Sequence, residues 1–244
     1  MMEFYANEGK QVAIEANGKT YLRHAVKTHF IGVGESLPAL VQEYIENLYQ
    51  PGDILSISEK IVSLCQGRIV YKADMRVGLL ARLLSRFATR STAGVGVDSP
   101  YKMQYAIDAC GRAKILYASL MGGIGKLMGK HGVFYEIAGR EVSGLDGFYD
   151  HAFEEYGEFG IQIPQNTHAV CQELYETLGI SCMVVDANDY GVEILGKSDD
   201  LTLPNTELAQ IIRDNPANNF RELTPFVLIR PKTQAETLPP ARTA

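Results

Sequence analysis

Apolar residues recur along the chain with two different spacings. Over residues 37–49 they return every three or four positions, which predicts a helix that the Pro-Gly pair at 51–52 ends. The same spacing predicts further helices over 77–88, 100–109, 164–178 and 206–213. Pro100 and Pro164 suit first helical turns, because proline lacks only an amide that is unpaired there.

Strands are predicted where aliphatic and β-branched residues cluster or alternate with polar ones. Residues 11–23 alternate around Asn17-Gly18, a pair that tolerates the positive φ angles of a tight hairpin turn. Residues 53–62 read as one strand, the segment around 134–138 also alternates, and further strands are predicted at 182–185, 192–195 and 226–229. Helices and strands alternate irregularly, so the predicted fold class is α+β (mixed α/β) in two lobes.

Composition and charge narrow the classes of partner. The 244 residues are 46% hydrophobic and 21% charged, as in an ordinary globular protein, and the net charge of -6 argues against a nucleic-acid partner. The four cysteines are widely spaced among apolar residues, which predicts free thiols rather than a zinc site. No leader pattern and no long apolar stretch is evident, so we expect a cytoplasmic protein without a membrane partner.

A glycine-rich passage over residues 122–132 invites comparison with phosphate-binding loops. Both Gly-Lys pairs lack the earlier glycine and the following hydroxyl of a Walker loop, so no Walker-type P-loop is predicted. Two interpretations stay equally open. The backbone amides with Lys126 and Lys130 bind nucleotide phosphates, or the passage is a mobile connection with solvated lysines.

Several carboxylates are candidate metal ligands. Asp98 follows two glycines and precedes a predicted helix, where it either binds a cation or caps the helix. Asp186 and Asp189 follow a predicted buried strand, where they supply metal oxygens or form a turn. Arg82 and Arg86 form a stripe leading toward Asp98 that suits a phosphate or carboxylate, although a solvated helix face is the simpler interpretation.

Three separated segments carry a resemblance to a known family. They are PGDILSISEKIVSLCQGRIV at 51–70, the approach HFIGVGESLPALV from His29, and GVDS at 96–99. Together, over roughly the first 110 residues, they resemble the coenzyme F-420 gamma-glutamyl ligases. The second half departs from the family pattern, because it has no LLPxDPD segment and only VVDANDYG, at Asp186, as a loose counterpart of another motif.

The resemblance implies a fold, a reaction and a site. It implies one catalytic unit over residues 1–230 and intertwined homodimers that bind GTP and Mn²⁺ or Mg²⁺ in a groove. The composition of residues 231–244, PKTQAETLPPARTA, predicts a flexible tail. These enzymes join L-glutamate to a phosphorylated deazaflavin cofactor precursor through an acyl phosphate. By position, Lys60 would neutralise charge on the transferred phosphoryl group, and Asp98, Asp186 and Asp189 would hold the metal.

This assignment predicts that Lys60, Asp98 and Asp186 converge on one groove. Two alternatives stay open because the second half departs from the family. The chain is a non-catalytic ligand-binding or regulatory homologue on the same scaffold, or it is a ligase with a different acceptor.

Overall fold

The chain forms two compact units. The computed structural model describes residues 3–88, 96–148, 153–188, 191–218 and 221–232. Unit 1 comprises residues 1–66 and 165–244, and unit 2 comprises residues 67–164. Unit 2 is therefore a single insertion in the sequence of unit 1.

Both units contain helices and strands, so the predicted mixed α+β class is confirmed, and nothing in the described residues shows a P-loop. The strands are β1 (Ala13–Ala16), β2 (Lys19–Val26), β3 (Ile54–Ser58), β4 (Ile69–Tyr71), β5 (Asp146–Gly147), β6 (Phe159–Ile161), β7 (Cys182–Asn188), β8 (Gly191–Lys197) and β9 (Phe226–Pro231). The α-helices are α1 (Leu37–Tyr44), α2 (Glu59–Cys65), α3 (Leu79–Phe87), α4 (Pro100–Cys110), α5 (Arg112–Leu127), α6 (Val133–Ala138), α7 (Arg140–Ser143), α8 (Thr167–Leu178) and α9 (Asn205–Ile211).

Unit 1 is built on a six-stranded sheet in the order β1-β2-β9-β3-β7-β8. Within this sheet, β3 and β7 pair in parallel and the other neighbours are antiparallel. The central strands are almost fully buried, which explains the continuous aliphatic runs in β3, β7 and β9. One core cluster packs α9 against this sheet through Leu208 and Ile211, both fully buried.

The opening hairpin confirms the prediction from Asn17-Gly18. Strands β1 and β2 pair antiparallel, with Ala16 opposite Lys19. Asn17 and Gly18 have φ angles of 49° and 73°, in the left-handed region that a two-residue hairpin turn requires.

Unit 2 combines a helical layer with the small antiparallel sheet β4-β6-β5. Helix α4 lies at the centre of this layer, because it contacts α3, α5 and α7. Its buried face contributes Met103, Ala106 and Ile107 to the core cluster of the unit.

Two sequence predictions of strand structure are wrong. The predicted strand over 53–62 ends at Ser58, where the chain turns into α2, so Lys60 lies in a first helical turn. The alternating segment around 134–138 is the helix α6, whose Phe134 and Tyr135 pack against the core of unit 2.

The glycine-rich passage is helical up to Leu127, and residues 128–132 form the connection from α5 to α6. Helix α5 continues through Gly122, Gly123 and Gly125, so most of their amides serve the helix instead of a phosphate. An added Cβ would lie 3.2 Å from Cβ of Phe134 at Gly122, and 2.8 Å from Cγ2 of Val133 at Gly125. These two glycines are therefore needed for close packing of α5 against α6.

The remaining boundaries differ by a few residues. The helix predicted over 37–49 ends at Tyr44, and the one predicted from Pro164 begins at Thr167. The last strand extends to Pro231, and the amide of Lys232 donates to the carbonyl of Thr20, so these two residues belong to the sheet rather than to a tail. Residues 233–244 of the predicted tail lie outside the described residues.

Candidate functional site

The strongest candidate site is a cavity on unit 2, beside the turn that carries Asp98. Residues 96–99 form this turn, in which the amide of Ser99 donates to the carbonyl of Gly96 at 3.0 Å. Ser99 is the N-cap residue of α4, and Pro100 opens the helix. The carboxylate of Asp98 therefore does not cap the helix, which removes the simpler explanation for this residue.

One oxygen of Asp98 is buried without a hydrogen-bond partner. The Oδ1 atom is almost inaccessible to solvent and accepts no hydrogen bond. A buried carboxylate oxygen without a donor is costly, because it has lost its water without a replacement. Such an oxygen is suited to a cation or to a donor group of a ligand.

A cavity of about 400 Å³ joins Asp98 to the arginine stripe of α3. Its lining residues are Val77, Arg82, Ser85, Arg86, Asp98, Pro100 and Tyr101. Arg82 and Arg86 lie one helical turn apart, and neither forms an ion pair within the described ranges. Two guanidinium groups in one cavity are the donors that phosphate and carboxylate oxygens require.

Lys102 places a further cation close to Asp98, and the sequence analysis missed it. This residue on α4 is 3% exposed, and its Nζ donates to the carbonyl of Leu145 at 2.6 Å. Burial lowers the pKa of Lys102 to about 8, although the charges of Asp146 and Asp98 oppose that shift. The signal was present in the sequence, since Lys102 occupies a position of α4 that faces the core.

Tyr135 fixes the other side of the Asp98 turn. Its hydroxyl accepts a hydrogen bond from the amide of Val97 at 3.2 Å, and its ring centroid lies 5.6 Å from Nζ of Lys102. Burial raises the pKa of Tyr135, so the phenol stays neutral near pH 7. Helices α4 and α6 thus hold this turn in place without a ligand.

Two other predicted site residues lie together in unit 1. Strands β3 and β7 are parallel, with Ser58 opposite Val185, so Lys60 and Asp186 both lie near the carboxyl end of this pair. Asp186 lies within β7 opposite Glu193 of β8, rather than in a turn after the strand. Asp189 lies outside the described residues. The shared groove of Lys60 and Asp186 with Asp98, a residue of unit 2, stays a prediction.

Lys126 and Lys130 are exposed and do not line the cavity. Lys126 lies in the last turn of α5, and the amide of Lys130 donates to the carbonyl of Gly125 at 2.8 Å. Their role in phosphate binding stays a prediction, without the loop of free amides that motivated it.

A second polar cluster in unit 1 was also missed by the sequence analysis. Nδ1 of His29 lies 2.7 Å from the Tyr44 hydroxyl, and Nε2 lies 2.9 Å from Oε2 of Glu35. Partial burial raises the pKa of Glu35, but hydrogen bonds from the Gly32 amide and from His29 outweigh it, so the net pKa is lowered. Because both ring nitrogens are occupied, this histidine is held in place rather than free to act on a ligand.

Comparisons of the whole sequence with protein-family models and with curated proteins give no match. Within the described ranges, no group of three or more His, Cys, Asp or Glu side chains is arranged to hold a metal ion. No α-helix in those ranges is both long enough and apolar enough to cross a bilayer. The cavity beside Asp98 is therefore the best candidate for a ligand-binding site among the described residues.

Proposed function

We propose that this protein is a GTP-dependent amide-bond ligase that adds L-glutamate to a carboxylate acceptor such as a deazaflavin cofactor precursor. The observation that carries the proposal is the cavity in which Arg82 and Arg86 accompany the unpaired oxygen of Asp98. Guanidinium groups can donate hydrogen bonds to nucleotide phosphates, and a carboxylate oxygen beside them can bind the divalent cation that accompanies those phosphates. The resemblance of residues 51–70 and 96–99 supplies the specific reaction.

The donor set at the cavity is compatible with Mg²⁺ or Mn²⁺. A single carboxylate is enough in principle, because Mg²⁺ in nucleotide sites keeps several waters and takes its other oxygens from the phosphates. Asp98 would supply the protein oxygen at this cavity, and the assignment of Asp186 and Asp189 to metal rests on the sequence alone. When bound, the metal would neutralise charge on the phosphate oxygens.

The proposed reaction has two steps. A carboxylate oxygen of the acceptor attacks the γ-phosphorus of GTP, the bond to the β-phosphate oxygen breaks, and GDP leaves. The amino nitrogen of L-glutamate then attacks the acyl carbon, inorganic phosphate leaves with the bonding electrons, and the nitrogen loses a proton. No protein nucleophile is required, so the residues act by positioning and by neutralising charge.

Each named residue has a distinct part in that proposal. Arg82 and Arg86 donate to phosphate or carboxylate oxygens, as paired guanidinium groups do at anion sites. Lys60 neutralises charge on the transferred phosphoryl group, and Lys126 and Lys130 provide further phosphate contacts. The last three assignments rest on the sequence alone.

The same proposal includes the setting of the enzyme. We place it in the cytoplasm as a homodimer that acts on small molecules, without a nucleic-acid or membrane partner. The net charge of -6 supports the exclusion of nucleic acid, because phosphate backbones are bound by basic surfaces.

Calorimetric titration with GTP in the presence of Mn²⁺ tests the assignment of Asp98. Asp98→Asn keeps the shape of the side chain but removes its charge, so we expect affinity to fall roughly ten- to a hundredfold. Asp108→Asn is the matched control, since Asp108 is an exposed carboxylate on α4 and does not line the cavity. Equal affinity and equal Mn²⁺ dependence in wild type and Asp98→Asn would contradict the proposal.

A non-catalytic binding protein is the second candidate. The observation in its favour is that Asp98 is the single carboxylate among the described residues that line the cavity, whereas the ligase assignment gives three carboxylates to the metal. Phosphate release from GTP, measured with L-glutamate and the deazaflavin precursor, separates the candidates. Binding of GTP without phosphate release would favour the non-catalytic protein, whereas release that depends on another carboxylate would favour a ligase with a different acceptor.

A further inference from the structure

Helix α5 is apolar on two opposite sides. Ile115, Ala118 and Gly125 are buried, and Ile115 belongs to the core cluster of unit 2. The opposite side carries large apolar side chains that are strongly exposed: Leu116 at 47%, Tyr117 at 56%, Leu120 at 63%, Ile124 at 41% and Leu127 at 90%. At about 100° per residue these five side chains fall within an arc of roughly 100° that contains no charged residue.

The area of this stripe is larger than a monomer ordinarily exposes. Met128, 69% exposed, extends the stripe beyond the end of the helix. Taking roughly 200 Å² for a whole large apolar side chain, the six residues present on the order of 700 Å². The largest apolar patch on a typical monomer is about 300–600 Å², and a standard interface buries about 800 Å² per partner. The stripe is thus of the size that one side of a protein interface requires.

The sequence of α5 is complementary to itself in the antiparallel direction. A two-fold axis through Leu120 pairs residues that lie equally far before and after Leu120. The numbers of two facing residues therefore add up to 240. Leu127 then faces Ala113, and Tyr117 faces Gly123. Gly123 leaves open space, because an added Cβ would have no neighbour within 4 Å. Large side chains therefore meet small ones at both of these positions, and Leu120 meets Leu120.

We propose that α5 is the contact between two copies of this chain, packed antiparallel about a two-fold axis at Leu120. A two-fold contact uses the same surface on both copies, which self-complementarity of this kind satisfies. The resemblance implies a homodimer but names no surface, whereas this proposal rests on the side chains of α5. This proposal rests on the homodimer of the proposed function and adds the surface through which the copies meet. The dimer dissociation constants of α5 variants test the surface, whereas GTP titration tests the ligase, so failure of one is distinguishable from failure of the other.

The positive charge of the α5 region is the main argument that this surface binds something other than a second copy of the chain. Residues 111–132 contain Arg112, Lys114, Lys126 and Lys130 but no Asp or Glu, which also suits an anionic lipid surface. The lysines lie outside the apolar arc, and Lys114 donates to the carbonyl of Ala138 at 3.0 Å. Exposed like charges are screened by water and salt, so they oppose dimerisation only weakly. The steric match between Tyr117 and Gly123 is specific to a second copy.

Gly123→Leu is the most discriminating variant. It adds an apolar side chain and a better helix former, so binding to a lipid surface would be unchanged or stronger. In the antiparallel pair it fills the space that Tyr117 of the other copy occupies, so the dimer dissociation constant should rise at least about tenfold. Light scattering and sedimentation over a range of protein concentration measure that constant.

Leu120→Glu is the second variant, and Leu83→Glu is its control. Leu120→Glu places two like charges together on the axis, so the dissociation constant should rise at least about a hundredfold. Leu83 lies on α3 and is 53% exposed, so the same change there adds an equal charge and should leave the dimer intact. Circular dichroism verifies that each variant is folded.

Cross-linking provides a test that does not weaken the interface. Leu120→Cys should form an intermolecular disulfide under mild oxidation, because the axis brings position 120 against itself, whereas Leu83→Cys should not. A monomeric wild type at tens of micromolar would overturn the proposal. Tighter dimerisation of Gly123→Leu, or a wild-type monomer that floats with phosphatidylserine vesicles, would also overturn it.

Discussion

At the scale of single residues, the most informative side chain is one that the sequence analysis overlooked. A lysine in an apolar segment is easily counted as a surface residue, yet Lys102 is buried and donates to the carbonyl of Leu145. Asp98, in contrast, was identified from the sequence as a candidate metal ligand, because it follows two glycines and precedes a predicted helix. The sequence shows which residues can carry charge, but burial depends on the packing of α4 against its neighbours.

Because of Lys102, the free energy of unfolding should change with pH in the alkaline range. Its pKa of about 8 lies below the ordinary lysine value of 10.5, so between these values the unfolded chain binds more protons than the folded one. The cost of the buried charge is fully present below about pH 8 and disappears as the pH rises toward 10.5. We expect the wild type to gain up to about 3 kcal/mol over that interval, relative to Lys102→Met.

Urea unfolding of both proteins at pH 7.5 and pH 10 measures this difference. Groups remote from position 102 titrate equally in wild type and Lys102→Met. The change in the stability difference therefore reports on Lys102 and on Tyr135, whose ring centroid lies 5.6 Å from its Nζ. A difference in unfolding free energy that is the same at both pH values would show that Lys102 is not buried as an ammonium group.

At the scale of secondary-structure elements, the sequence predicted helices and strands well where one face is apolar. The hairpin at Asn17-Gly18, helix α3 and the strand β9 follow from local periodicity and turn chemistry. The predictions failed where a run of aliphatic or alternating residues proved helical, as in α2 and α6, and where glycine was taken as a sign of a loop. In α5, Gly122 and Gly125 are required by the close approach of α6, and that contact is not visible in local sequence.

A glycine on β8 has a comparable packing role. An added Cβ at Gly196 would lie 2.5 Å from the amide nitrogen of His168 and 2.6 Å from the carbonyl carbon of Thr167. The hydroxyl of Thr167 also donates to the carbonyl of Leu195 at 2.6 Å. The first turn of α8 therefore packs directly against this strand. The separation is so short that it leaves room for glycine but not for a residue with a Cβ atom.

Gly196→Ala is expected to destabilise unit 1 by about 1–3 kcal/mol, because backbone atoms have to move to accept the methyl group. Gly191→Ala is the matched control on the same strand, since nothing lies within 4 Å of its added Cβ. Thermal and urea unfolding compare the two variants. Equal stability of both would contradict the close packing of α8 on β8.

At the scale of the whole molecule, the insertion of unit 2 follows from contacts that no sequence pattern indicated. Gln66 and Gln165 flank the insertion and are joined by two hydrogen bonds of 2.8 and 2.9 Å. The sequence analysis expected two lobes but no boundary. Local periodicity cannot show that residues 99 positions apart are neighbours, because that information lies in the pairing of β3 with β7 and β9.

Unit 1 should fold without unit 2. We expect a chain that joins residue 66 to residue 165 through two or three glycine and serine residues to give a cooperative unfolding transition. The linker has little distance to span, and the core cluster that packs α9 against this sheet lies within unit 1. Near-ultraviolet circular dichroism and dispersed amide NMR signals measure its packing. A molten or insoluble product would contradict the independence of unit 1.

The position of β3 at the middle of the sheet has a consequence for the order of events during translation. Both of its neighbours, β7 and β9, are encoded after the insertion. When the ribosome has delivered β3, neither partner strand exists yet, whereas residues 67–164 are all present before β7 emerges. The inserted unit can therefore fold on the ribosome while β3 still lacks both of its partner strands.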